Sequence, residues 1–312
     1  VRVLVTGGNG FVGRHLCAAL RAMGENVCSV GRTRDGSDVD FPLELTDYDN
    51  VLGIVELARP QVVYHLAAVA FVPDATDDPL GTYDVNVLGT ARLFEAIRAT
   101  LAGAMPRCIY ASSAEVYGTH TPGNYPLYEG LVPRPTTPYA ASKLAGEAVA
   151  LAASHTYGIP TVITRAFNHV GPGQDPRFAV PAFAKGLAQI ANGAEPVLAV
   201  GNLEARRDFL DVRDVVSAYI ALARGGVDGE IYNVCSGRAV GMAEVLRTLI
   251  SAAHVRVEVR EVPELMRPSD TPLSVGDNAK LRAATGWQPR YSLAQTLRDV
   301  YAEARDRLNV RA

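Results

Sequence analysis

Short apolar, β-branched runs alternate along the first two-thirds of the chain with longer segments whose apolar positions recur at helical spacing. The short runs predict strands over Val3–Thr6, Asn26–Gly31, Val62–Leu66, Arg107–Ala111, Thr161–Arg165 and Glu230–Val234. The longer ones predict helices over Phe11–Met23, Tyr48–Ala58, Val85–Thr100, Tyr139–Thr156 and Val212–Ala223, with Asp47 as an N-cap. Alternation of this kind implies an α/β fold, a doubly wound parallel sheet with helices on both faces. After Arg165 the pattern loosens, and GPGQDPRF, NGAEPV and VPELMRPSDTP interrupt short helices and strands. A smaller, loop-rich second domain is expected there, with the chain crossing back to the sheet near 206–234. No internal repeat is visible. Val1 stands at the first strand, so an initiator region that is trimmed, absent or non-standard is expected.

Three segments carry candidate chemistry. The first is Gly7-Gly8-Asn9-Gly10-Phe11-Val12-Gly13, between the first strand and the first helix. A tight strand-to-helix turn needs glycine where dihedrals are unusual and where phosphate oxygens approach the main chain. The helix N-terminus adds free N–H donors and a partial positive charge. The spacing is G-x-x-G-x-x-G rather than G-x-G-x-x-G. The second is Ser112-Ser113-Ala114-Glu115-Val116-Tyr117-Gly118, at the carboxyl end of a predicted strand, where side chains of a parallel sheet reach the ligand crevice.

The third is PYAASKLAGEAVA. Thr137 suits an N-cap and Pro138 the first helical position. Tyr139 and Lys143 are then one helical turn apart and project from one face. An ammonium beside a phenol favours phenolate, so a tyrosine pKa below its usual value of about 10 is expected, usable for proton transfer near neutrality.

The chain has 312 residues, 48% hydrophobic and 20% charged, which is enough to bury a sizeable core in one or two domains. A net charge of −3 gives no hint of nucleic acid or of an anionic membrane as partner. An anionic ligand would need a local basic clamp. Cys17, Cys28, Cys108 and Cys235 lack metal-ligand or redox spacing and read as small buried hydrophobes, so no metal is expected. No secretory signal or membrane-length apolar run is visible, and a cytoplasmic enzyme is the default.

In this order and spacing, TGGNGFVG, SSAEVYG and YAASK resemble the extended short-chain dehydrogenase/reductases that act on nucleotide sugars. HLAA, NVLGT, RAFNHVGPG, RRDFLDVRDV and RPSD extend the resemblance over essentially the whole chain. Within that family, FNHVGPGQ, VGNLEARRDF, YNVCSGR and GDNAKLRAATGW look most like GDP-6-deoxy-4-keto-D-mannose reductases, which make GDP-D-rhamnose. The resemblance implies a Rossmann-type doubly wound sheet with a smaller mixed α/β C-terminal substrate domain. Residues 1–167, with about 206–234, are the expected NADP-binding domain. Residues 168–205 and 235–312 are expected to bind the nucleotide sugar. The family also implies a homodimer through the helices at 85–100 and 139–156.

For the cofactor, Gly7, Gly10, Phe11, Val12 and Gly13 would cradle the pyrophosphate. The second strand ends in Val30-Gly31-Arg32-Thr33-Arg34, with no carboxylate to repel a 2′-phosphate. Arginine suits bidentate phosphate binding, so NADP(H) is favoured, with NAD(H) left open. Arg32 is the first candidate, ahead of Arg14 and Arg34. By resemblance, Glu44 and Leu45 flank the adenine, and Leu66, Ala67, Ala68 and Asn86 line the ribose and nicotinamide side. Asn86 is alternatively a backbone brace.

By resemblance again, Tyr139 is the acid/base at the sugar C4 oxygen. Lys143 binds the nicotinamide ribose and holds the tyrosine pKa down. Ser113 hydrogen-bonds the same oxygen, and Ser112, one residue off, is structural. Glu115 matches the position of the dehydratase base, yet reductases also carry glutamate there. A nucleotide diphosphate would be gripped by Arg207 and Arg267, with Asn168 at the phosphate or sugar and Lys185 at the nucleotide. The competing functions are a C4-epimerase that keeps its NAD, a 4,6-dehydratase using Glu115, and a non-catalytic NADP-sensing module. The intact Ser113, Tyr139 and Lys143 argue against the last.

Overall fold

A computed structural model of the chain describes residues 1–32, 39–266 and 271–309. The first half runs β1 (Arg2–Thr6), α1 (Phe11–Ala22), β2 (Asn26–Gly31), β3 (Phe41–Pro42), α2 (Tyr48–Ala58), β4 (Val62–His65), α3 (Val72–Asp77), α4 (Pro79–Tyr83), α5 (Gly89–Thr100), β5 (Arg107–Ser113), α6 (Pro138–Tyr157) and β6 (Thr161–Ala166). The second half runs β7 (Asn168–Val170), α7 (Ala179–Ala191), β8 (Val197–Val200), β9 (Arg206–Asp211), α8 (Val212–Gly225), β10 (Ile231–Val234), β11 (Ala239–Gly241), α9 (Met242–Ala253), β12 (Glu258–Glu261), β13 (Leu273–Ser274), α10 (Ala279–Thr285) and α11 (Leu293–Asn309).

Among the described residues the main sheet is wholly parallel, in the order β10-β6-β5-β4-β1-β2-β3. The chain moves outward from β1 through β2 and β3, then returns to the other side of β1 at β4. The strand order therefore reverses between β1 and β4, where a parallel sheet opens a crevice at its carboxyl edge. One face is covered by Leu16 and Leu20 of α1, Val215, Tyr219 and Leu222 of α8, and Leu281 and Trp287. The other is covered by Val51 and Val55 of α2, Leu93 and Ile97 of α5, and Ala150 and Ala153 of α6. This is the two-sided α/β architecture that the alternation predicts, although Leu281 and Trp287, expected with the second domain, pack under the sheet.

A separate apolar cluster joins α7, α9 and α11 through Leu187, Leu246, Leu249, Leu297 and Val300. Beside it β9 pairs in parallel with β7 and β13 and antiparallel with β11, so this part is mixed α/β. Cys17, Cys108 and Cys235 are buried and Cys28 half-buried, all as free thiols, matching their reading as small hydrophobes. Among the described residues no helix is long and apolar enough to cross a membrane, and no cluster of metal-ligating side chains occurs.

Two of the boundaries that differ from expectation bear on the site. β5 runs on to Ser113, because Ser112 and Ser113 stay in register with Arg165 and Ala166 of β6. The two serines are therefore strand residues rather than turn residues. The helix expected from Val85 begins earlier, as α4, and passes through a π-helical turn at Asp84–Leu88 before α5. A π turn widens the backbone by one residue, and this one carries Asn86.

The caps fall where the sequence puts them. Asp47 accepts hydrogen bonds from the Asp49 and Asn50 amides at 3.0 and 3.2 Å. Thr137 accepts from Ala140 N at 3.1 Å and starts the helix that carries Tyr139. Thr137→Ala should cost about 1 kcal/mol. The measurement is a urea unfolding curve, in which the midpoint falls at unchanged slope; an unmoved midpoint would deny the cap any energetic role.

Candidate active site

The crevice floor begins with the glycine loop. Gly7 takes φ +73°, and a Cβ there would lie 2.9 Å from Ala67 N. Gly10 N donates to Gly7 O at 2.9 Å, and a Cβ on Gly13 would strike that same carbonyl oxygen. The three glycines thus let α1 start directly against β1 and β4. No side chain caps α1, so its first-turn amides keep the anion-binding character of a helix N-terminus. Phe11 and Val12 are half-buried in that turn. The glycines make the close main-chain approach of this turn possible, and its uncapped first-turn amides fit a dinucleotide pyrophosphate.

Gly31 is buried at the end of β2 and Arg32 is exposed just beyond it. Asn9 Nδ2 donates to the Arg32 carbonyl at 2.7 Å, tying this strand end to the glycine loop. Arg14 is engaged differently, donating to Asn9 O at 3.0 Å and Gly173 O at 2.9 Å, and so it acts as a backbone staple. Arg34 lies outside the described residues. Glu44 is exposed and bonds Thr46, while Leu45 is buried against Gly89.

The segment after β4 is fixed by a directional hydrogen-bond chain. Ala67 N donates to Thr6 Oγ1 at 3.2 Å, and Thr6 Oγ1 lies 2.7 Å from His65 Nδ1. His65 Nε2 lies 3.0 Å from Thr90 Oγ1, which donates to Asn86 O at 2.7 Å. The backbone N–H at one end and C=O at the other set every proton between, so Nε2 carries the imidazole hydrogen. Burial pushes the His65 pKa down to about 3, helped by the charge of Lys143.

The Asn86 side chain accepts from Val69 N at 2.8 Å and donates to Val69 O at 3.1 Å and Ser142 Oγ at 2.9 Å. Both its amide protons are used, so the brace alternative describes what this side chain does. It holds the segment after Leu66, Ala67 and Ala68 against α6.

Ser113, Tyr139 and Lys143 come together where α6 crosses the carboxyl end of β5. All are buried. Lys143 Nζ donates to Ala111 O at 2.7 Å and lies 5.4 Å from the Tyr110 ring centroid. The expectation of a lowered tyrosine pKa is overturned. Burial pushes the Tyr139 phenol up; the Ser113 hydroxyl, a donor to the phenolate, pulls it part of the way back, and Glu115 adds to the rise. The ammonium is committed to a backbone carbonyl, and its own pKa is pushed down by burial to about 8, with Glu147 opposing. Desolvation therefore outweighs the charge–phenol attraction that the four-residue spacing suggested. Glu115 is exposed in the first turn of a short 3₁₀ helix, its amide donating to Ser113 Oγ at 3.2 Å.

On the opposite side, register pairs Asn168 with Phe209, so Asn168 shares a sheet face with Phe209 and Arg207. Asn168 is exposed; Arg207 is half-buried and donates to Arg206 O at 3.0 Å. Lys185 is exposed on α7, and Arg267 lies outside the described residues.

The structure adds residues that the sequence reading missed. Asp208 is fully buried and accepts from Ser236 N, Ser236 Oγ, Gly237 N and Gly276 N at 2.8, 2.6, 2.9 and 3.3 Å, organising the loops around Arg207. Glu147 and Arg165 form a buried ion pair at 2.7 Å. The available signal was a carboxylate four residues beyond Lys143 on the same predicted helix.

The chain is similar to known proteins over nearly its whole length. A family model described as GDP-mannose 4,6 dehydratase matches residues 4–300. The chain is 37% identical over 308 residues to GDP-6-deoxy-D-mannose reductase of Pseudomonas aeruginosa, covering 98% of each. It is 29% identical over 302 residues to GDP-6-deoxy-D-talose 4-dehydrogenase of Aggregatibacter actinomycetemcomitans, covering 96% of this chain and 97% of the other. The solved structure of RMD from Pseudomonas aeruginosa complexed with NADPH superposes with a TM-score of 0.89 at 35% identity, covering 98% of this chain and all of that one.

The strand-end chemistry gives a direct test. Arg32→Ala should weaken NADPH binding by roughly tenfold or more, about 1.5 kcal/mol for a lost charge-assisted contact, and leave NADH binding nearly unchanged. Fluorescence titration of both cofactors reads this; equal losses would show that Arg32 does not sense the 2′-phosphate.

Proposed function

The chain belongs to the GDP-mannose 4,6-dehydratase family of extended short-chain dehydrogenase/reductases, and from that premise we propose that it is an NADPH-dependent 4-ketoreductase converting GDP-4-keto-6-deoxy-D-mannose to GDP-D-rhamnose. The observation that carries this reading is the meeting of Ser113, Tyr139 and Lys143, all buried, where α6 crosses the carboxyl end of β5, in a chain 37% identical to the Pseudomonas reductase. A phenol set beside a hydroxyl donor is placed to give a ketone oxygen its proton.

NADPH, when bound, supplies the hydride to the sugar C4. Gly7, Gly10, Phe11, Val12 and Gly13 would hold its pyrophosphate and Arg32 its 2′-phosphate. Glu44 and Leu45 would stand at the adenine, and Leu66, Ala67 and Ala68, braced by Asn86, would line the nicotinamide side. Ser113 Oγ donates a hydrogen bond to the C4 oxygen, and Tyr139 gives that oxygen its proton as negative charge grows there. Lys143 holds the ribose hydroxyls and stabilises the phenolate left behind. Glu115, whose charge raises the Tyr139 pKa, helps keep the donor loaded. Arg207, Arg267, Lys185 and Asn168 form the clamp for the nucleotide diphosphate sugar. Placement of the ketone between these groups supplies much of the rate.

The Pseudomonas reductase and the solved Pseudomonas structure complexed with NADPH support the GDP sugar and the cofactor, and NADH is the alternative donor. The Aggregatibacter relative supports a second stereochemical outcome, the C4 epimer GDP-6-deoxy-D-talose. Residues 1–167 with about 206–234 would bind the cofactor, and 168–205 with 235–312 the sugar nucleotide. A homodimer through α5 and α6 would cover the exposed Leu88 beside α5 and Tyr157 at the end of α6.

Purified protein mixed with GDP-4-keto-6-deoxy-D-mannose should consume one NADPH per sugar reduced, and NMR of the product should show C4 carrying hydrogen in the rhamno configuration. Absence of NADPH oxidation would turn the reading to the C4-epimerase or the dehydratase, and water loss from GDP-mannose would select the dehydratase. Tyr139→Phe should lower kcat by at least about 10²-fold, the low end of general-acid effects, while NADPH binding stays within about threefold. Wild-type turnover in that variant would remove Tyr139 from the chemistry.

A further inference from the structure

Three consecutive residues of β5 meet three positions one turn apart on α6. The Ala111 carbonyl accepts from Lys143 Nζ. Ser112 Oγ donates to Glu147 Oε1. Ser113 addresses Tyr139. Tyr139, Lys143 and Glu147 share one helix face by their four-residue spacing. The proposed reaction uses two of these pairs and leaves the middle one unexplained. Glu147 is 2% exposed and Arg165 3%, and they are joined by Nε–Oε1 at 2.9 Å and Nη2–Oε2 at 2.7 Å. The guanidinium also lies 4.8 Å from the Tyr117 ring centroid. A buried ion pair is costly to assemble, and replacing one with apolar groups is often harmless to stability. Its presence beside a buried lysine therefore invites a role beyond holding the fold.

We propose that Ser112, Glu147 and Arg165 are positioning residues of the reaction: Glu147 is a fixed counter-charge that keeps Lys143 an ammonium inside the closed site, and Ser112 and Arg165 hold it in place. The inference rests on the reductase reading above. The ionisable groups facing Lys143 are Tyr139 and Glu147 on its own helix, Tyr110 on β5, His65 on β4 and, behind Glu147, Arg165 on β6. Burial keeps Tyr110 and Tyr139 protonated and His65 neutral at working pH. Among these groups only Glu147 offers Lys143 a negative charge, and it is the one that opposes the downward push of burial. The sign follows: Lys143 carries its charge below about 8 and loses it above, and without Glu147 that loss moves to lower pH.

The chain has three lysines, Lys143, Lys185 and Lys280. Protein labelled with ¹³C at the lysine ε-carbon therefore gives three signals, assigned through Lys185→Arg and Lys280→Arg. Glu147→Gln strands the guanidinium of Arg165 and is liable to misfold, so the decisive variant is Glu147→Gln/Arg165→Met, which removes both charges together. Its fold is checked by circular dichroism. Because Glu147 and not Arg165 is the charge that acts on Lys143, the expected result is a Lys143 titration midpoint below wild type, with the high-pH limb of kcat displaced to match. A folded double variant whose Lys143 titrates at the wild-type midpoint overturns the proposal, as does a kcat profile that stays put while the midpoint moves. If wild-type protein fails to oxidise NADPH with the 4-ketosugar, the reductase reading falls alone, because the lysine midpoints are read without substrate.

Discussion

The site depends on how closely α6 lies against the carboxyl end of β5. Gly146 makes the approach possible: a Cβ there would strike the Tyr110 hydroxyl and come 3.3 Å from Asn86 O. With helix and strand this near, the Lys143 ammonium reaches a strand carbonyl, the Ser112 hydroxyl reaches a helix carboxylate, and the Tyr139 phenol meets Ser113. The same closeness removes water, which is why the electrostatics of the pocket are governed by burial. Proton affinity here is set by packing first and by charged neighbours second.

That ordering explains where the sequence was legible and where it was not. Strand and helix periodicity predicted both layers of the sheet, and Thr137, Pro138 and Asp47 marked helix starts that the structure keeps, because caps act through local backbone geometry. The glycine spacing of residues 7, 10 and 13 and the Tyr139–Lys143 pair are local too, and both lie in the crevice. Desolvation is not local. Four-residue spacing suggested a depressed tyrosine pKa, but the depth at which Tyr139 sits depends on β5, α6 and the segments around them. Long-range partners were equally hidden: Arg165 and Glu147 look like ordinary charged residues until α6 packs on the sheet and sets them side by side, and Asp208 until two distant loops converge on it.

The proposed cofactor and sugar-nucleotide sides are built differently. The cofactor side uses mainly backbone: glycine turns, helix amides and an asparagine brace. The sugar-nucleotide side presents its candidates, Asn168, Lys185 and Arg207, at the surface of a small mixed sheet and the helix beside it. That placement explains why the substrate side was harder to read: long charged side chains declare their partners poorly.

The donor chain from Ala67 through Thr6, His65 and Thr90 to Asn86 behaves as a one-way circuit. Its ends are an amide hydrogen and a carbonyl oxygen, neither of which can exchange roles, so no hydroxyl within it can turn around alone. A second proton on His65 would leave Thr6 with two hydrogens aimed at each other, and the imidazole resists it until the solution is strongly acidic. The segment after β4 should therefore hold one shape through ordinary acidification. It would yield only when the unfolded chain, whose histidine protonates freely, draws the whole domain apart.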